Sequence, residues 1–72
     1  MKNIKFEIRK NGEHTILDVF VLHKHSFIID EFTEFELITT IKEILEATWE
    51  RKLEDWEYSE LIDKIMEAYI NI

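Results

Sequence analysis

The dipeptide Asn11-Gly12 holds the only glycine of a chain that has no proline and no cysteine. Two-residue hairpin turns need positive φ, and Asn-Gly supplies it with the least strain. With Asn11 and Gly12 as the turn, Lys10 faces Glu13, Ile8 faces Thr15, Phe6 faces Leu17 and Ile4 faces Val19. Those apolar residues share one face. Arg9 with His14, Glu7 with Ile16 and Lys5 with Asp18 fill the other. A slip of one residue would mix the two faces, so the register is strongly specified.

The second face is not wholly polar, because Ile16, Phe20 and Leu22 also point to it. Residues 26–29 can return as a third strand after a turn at His23-Lys24-His25, adding Phe27 and Ile29 to that face. Two helices cover one side of a small sheet, and an uncovered apolar patch marks an interface. Ile16, Phe20 and Leu22 are therefore expected to form a homodimer interface. The length supports this. Seventy-two residues make one domain with a small core. Without cysteine, oligomerisation or good helix packing must supply the missing stability.

The helical half opens with a strong signal. Thr33 and Glu36 have capping-box spacing, and Phe32 and Leu37 have staple spacing, so a helix starts near Glu34. Leu37, Ile38, Ile41, Ile44, Leu45 and Thr48 form its stripe, about 120° wide. Lys52 falls inside that arc, so the helix bends or ends between about residues 52 and 57. A second helix is expected from Ser59, a good N-cap type. Its stripe is Ile62, Ile65, Met66 and Tyr69, with Leu61, Ala68 and Ile72 beside it. The fold class expected is α+β. An N-terminal antiparallel β-hairpin or three-stranded sheet (1–29) precedes two α-helices packed on one face (34–71), all in one domain, 1–72.

Catalytic signatures are missing. One glycine, used in a turn, leaves none for a phosphate-binding loop. Ser26 and Ser59 lack the context of a nucleophile elbow. His23-x-His25 has a spacing that can bind zinc, but it falls in the expected turn and reads as exposed histidines. The expectation is a non-enzyme with no cofactor and no metal. No apolar run approaches the ~20 residues of a membrane span. The N-terminus alternates apolar with polar residues and has no signal-type apolar core. A cytoplasmic protein without membrane contact is expected.

Charge carries most of the functional information. Residues 1–29 sum to +2 and residues 30–72 to −9, within a total of −7. Such a surface repels nucleic acid and favours basic partners. If the first helix runs on through residue 57, Glu36, Glu43, Glu46, Glu50, Glu54 and Glu57 fall within roughly 80° of arc. The five from Glu43 to Glu57 then span roughly 21 Å, a charge spacing comparable to that of a DNA strand. Trp49, Leu53 and Trp56 flank them. Aromatic rings beside a charged rim are the anatomy of protein-binding patches. The expected partner surface is therefore Glu46, Trp49, Glu50, Leu53, Glu54, Trp56 and Glu57.

The stretch TWERKLEDWEY, residues 48–58, resembles the tryptophan-then-acidic helix junction found among small phage-encoded anti-CRISPR proteins. The preceding FEIRKNGEHTILDV, residues 6–19, is similar to a hairpin of the same family. The similarity as a whole covers about half of the chain. The resemblance implies an acidic α+β inhibitor of a nuclease, acting in the host cytoplasm and imitating DNA with carboxylates. The function expected is a small acidic protein-binding module that occupies a basic nucleic-acid-binding site on a partner protein. It would not contact nucleic acid itself. The rival readings are a β-ribbon nucleic-acid-binding dimer using Lys5, Arg9 and Lys10, and a structural homo-oligomeric module.

Overall fold

The computed structural model describes residues 4–70. Ile72, Lys2 and the last residue of the expected helical half lie outside them. Three strands are followed by two helices: β1 (Lys5–Asn11), β2 (His14–Val21), β3 (His23–Ile28), α1 (Glu34–Trp49) and α2 (Asp55–Ile70). A 3₁₀ turn, Ile29–Glu31, joins β3 to α1. The strands form one antiparallel sheet in the order β1-β2-β3. The fold is α+β, as the patterning of the two halves requires.

The hairpin register differs from expectation by two residues. Asn11 pairs with His14, Lys10 with Thr15, Ile8 with Leu17 and Phe6 with Val19. The turn is therefore Gly12-Glu13. Gly12 has φ +65°, and Glu13 is not among the positive-φ residues. Glycine at the first central position with only that φ positive is the type II′ pattern, which leaves Asn11 in the strand. A two-residue shift preserves the faces. Leu17, Val19 and Val21 are buried, with Ile4, Phe6 and Ile8 packed against them.

The third strand begins earlier than residue 26. Its turn is the single residue Leu22, which has φ +56° between the paired Val21 and His23. His23, Lys24 and His25 are strand residues and not a turn. Their polarity suits an edge strand. The register then places Phe27 opposite Leu17, on the core face, where its ring meets Phe32 edge-on at 6.0 Å. Ile29 is fully buried in the core. Neither joins the second face as expected.

Thr33 caps α1 with both bonds of a capping box. Its Oγ1 accepts the Glu36 N–H at 3.1 Å, and Glu36 Oε1 accepts the Thr33 N–H at 3.0 Å. The helix stops at Trp49, earlier than expected, because Glu50 enters the left-handed region at φ +54°. The Arg51 N–H then returns to Glu46 O at 3.2 Å, a Schellman-type closure. The second helix starts at Asp55 and not at Ser59. Glu57 reaches back to accept the Glu54 N–H at 2.9 Å, the second half of a capping box.

Both helices lie on the Leu17 face. Leu37, Ile41 and Leu45 of α1 and Leu61, Ile65 and Ala68 of α2 are fully buried with Leu17 and Ile29. Tyr69 ties the far end of α2 back to the 3₁₀ segment that joins β3 to α1. Its hydroxyl donates to Phe32 O at 2.8 Å, with Ile29 O at 3.3 Å.

Candidate protein-binding surface

The seven residues expected at the partner surface do come together, at the elbow between α1 and α2. They do so in two distinct roles. Glu46 sits on the last turns of α1 with its side chain 14% exposed. It accepts the Leu53 N–H at 2.9 Å and Lys42 Nζ at 3.3 Å, with Lys52 Nζ at 3.9 Å. The Leu53 amide bond is the largest influence holding its pKa below the ordinary value, and the two lysines add to it. Glu57 is 3% exposed. Arg51 grips it with two parallel bonds of 2.7 Å, and the same guanidinium lies 5.2 Å from the Trp49 ring. Paired N–H···O bonds of this kind are both strong and orienting. Glu46 and Glu57 thus brace the linker, residues 50–54. Trp49 and Leu53 are half-buried at the margin of the core.

The continuous acidic stripe through residue 57 does not exist, because the chain leaves the helix at Glu50. Glu50, Glu54 and Trp56 form the outward part of the elbow. Trp56 is 56% exposed, and its indole N–H donates to Glu54 Oε2 at 2.6 Å. Asp55 is exposed beside them. The two tryptophans, seven residues apart in sequence, therefore divide: Trp49 closes the core and Trp56 faces solvent.

Arg51 is the residue that helical periodicity could not supply. Its partner lies six positions on, across a helix break, where neither i, i+3 nor i, i+4 logic applies.

The expected dimer face also differs. Ile16 is only 6% exposed within one protomer, so it has little surface left to bury. Arg9, directly opposite it, reaches diagonally to Asp18 with a 2.7 Å bond. Asp18, 2% exposed in the middle of this face, also accepts Ser26 Oγ at 2.6 Å and lies 4.0 Å from Lys24 Nζ. Burial is the largest single influence on its pKa and opposes ionisation. The bonds from Arg9 and Ser26 and the charges of Arg9 and Lys24 together outweigh it, so the pKa is lowered. Phe20 lies between Lys5 and Lys24, whose ammonium groups are 6.0 and 5.9 Å from its ring centre. The Lys5 and Lys24 stems thus lie beside Phe20 on this side of the sheet. Leu22 stands at the hairpin tip, 85% exposed.

Among the described residues, no group of three His, Asp or Glu side chains is arranged to hold a metal ion. His23 and His25 lie opposite Val21 and Val19 on β3. Every buried side-chain nitrogen or oxygen among the described residues has a hydrogen-bond partner. No helix among them is long and apolar enough to cross a membrane. Comparison with protein-family models, curated proteins and solved structures finds no match for the chain.

Proposed function

We propose that this chain is a small acidic protein-binding module, of the kind phages and mobile elements use as inhibitors, that occupies a basic nucleic-acid-binding site on a partner protein. One observation carries this reading. Residues 30–70 hold thirteen carboxylates and four cations. Glu46 and Glu57 engage three of those cations, Lys42, Lys52 and Arg51. Thirteen carboxylates against four cations leave this segment at −9. On this reading the strong negative charge of the helical half attracts the basic site, and the exposed Trp56 serves as an aromatic anchor. The resemblance of residues 48–58 to anti-CRISPR inhibitors points the same way.

The nucleic-acid-binding rival needs available cations on the sheet. Lys5 pairs with Glu7 at 2.9 Å, Arg9 is bound to Asp18, and Lys10 Nζ bonds Thr15 Oγ1 at 2.6 Å. These internal engagements favour the acidic reading. The experiment compares wild type with the triple variant Glu50→Gln, Glu54→Gln, Asp55→Asn as immobilised baits for an extract of candidate host cells. The expected result is that wild type retains a nucleic-acid-handling protein at low salt and the triple variant loses most of it, because exposed charges steer association. Equal retention by both baits, or a gel shift of DNA by wild type at physiological salt, contradicts the reading.

A further inference from the structure

The solvent side of α2 carries more apolar surface than a two-layer domain uses. Leu61, Ile65 and Ala68 fill its buried side. Away from them, Trp56, Met66 and Ile70 are 56%, 39% and 80% exposed. Scattered surface hydrophobics need no explanation. These three occupy the first and the last two positions of the series 56, 59, 63, 66 and 70, which advances by three and four in turn. That is the spacing of the a and d positions of a heptad seam. The five positions lie within about 80° of arc and span about 21 Å of helix. The middle of the seam is polar, with Ser59 and Asp63 both exposed. Glu60 and Glu67 follow the seam positions 56 and 63 by four residues, so they run along one flank.

We propose that this seam is the docking face for a basic amphipathic helix of a partner protein. Trp56, Met66 and Ile70 would meet its apolar residues, and Asp63 a lysine or arginine. Charge selects this occupant. A second copy centred on the seam would set Asp63 against Asp63, and a like-charged pair at an a position acts against self-pairing. A basic helix meets the exposed Asp63 with opposite charge, and presents apolar anchors at matching intervals. Helices of this chemistry are the elements that enter DNA grooves. The inference rests on the basic-partner reading above and names the element that partner would offer.

The test uses a synthetic helix about three heptads long, with leucine at a and d, one lysine at the central a, and lysine at e and g. A scrambled peptide of identical composition is the control, and calorimetry is the readout. Wild type is expected to bind the patterned peptide about tenfold or more tighter than the scrambled one. Met66→Lys and Ile70→Lys alter exposed positions, so each should keep the wild-type melting curve and lose about tenfold in affinity. Equal affinity for both peptides would show charge attraction alone and overturn the proposal, as would unchanged binding by both lysine variants. A second arm needs no peptide. At about 0.5 M salt, where surface charge is screened, Asp63→Leu should convert a wild-type monomer into a dimer in sedimentation equilibrium. A wild-type dimer that Met66→Lys dissociates would mean that a second copy occupies the seam, and would also overturn it. If the peptide results hold but the elbow variant keeps its partner, the nucleic-acid-site reading fails and the docking face stands.

Discussion

Glu57 is acidic, buried and fully bonded, and its chemistry is that of a brace. The two bonds from Arg51 are the largest influence on its pKa and the Glu54 amide the next, and they hold it at about 2 from an ordinary 4.5. A carboxylate whose folded pKa is depressed adds stability above its unfolded pKa. That contribution is complete above pH 4.5 and disappears as the pH falls toward about 2. Glu57→Gln should lower the melting temperature at neutral pH and bring the two proteins together near pH 2. Thermal melts of both across that range check this, and the comparison cancels the relief of general acidic repulsion. Two backbone positions make an opposed pair. Gly12 has positive φ and open space where a Cβ would stand, so Gly12→Ala should cost about 1 kcal/mol through conformation alone. Leu22 has positive φ without being glycine, so Leu22→Gly should raise stability by up to about 1 kcal/mol. Denaturant melts that show the same sign for both would contradict this account of the turns.

Elements differ in how much of them could be read from residues near one another in sequence. The start of α1 was legible, because a capping box is complete within four residues. Thr33→Ala should cost about 1 kcal/mol in a denaturant melt. The ends of the helices were not legible. Glu50 takes the left-handed closure without glycine or asparagine, and the linker is held by the Arg51–Glu57 and Glu46–Leu53 bonds, which exist only once both helices are in place. Sheet faces were legible from alternation, and register was not. Asn11-Gly12 is a strong turn pair, yet Asn11 remains in β1 and Gly12 opens the turn. The polar run His23-Lys24-His25 reads as a loop by composition, whereas an edge strand tolerates the same residues. That one misreading moved Phe27 to the wrong face. At the elbow, helical spacing set the seven residues along one continuous helix, and could not foresee the break at Glu50 that divides braces from exposed side chains. The a/d spacing from Trp56 to Ile70 was available in the sequence, obscured because Ile62, Ile65 and Met66 suggested a different stripe.

At the scale of the whole molecule, the two layers carry different charge. The sheet's cations are engaged with Glu7, Asp18 and Thr15, and the helical layer keeps an excess of carboxylates on its solvent side. Folding would gain nothing from that excess, since like charges on one layer repel and reduce stability. On the proposed reading, a partner with a basic cleft would relieve that repulsion. Binding of this kind competes with nucleic acid for one site and weakens as salt rises. The most direct measurement is displacement. The captured partner is held on the immobilised chain and duplex DNA is titrated in at constant salt. The account predicts that DNA releases the partner in proportion to its occupancy of the basic site, and that excess chain in turn releases labelled DNA. A ternary complex, in which partner, chain and DNA remain together at saturating DNA, would contradict it.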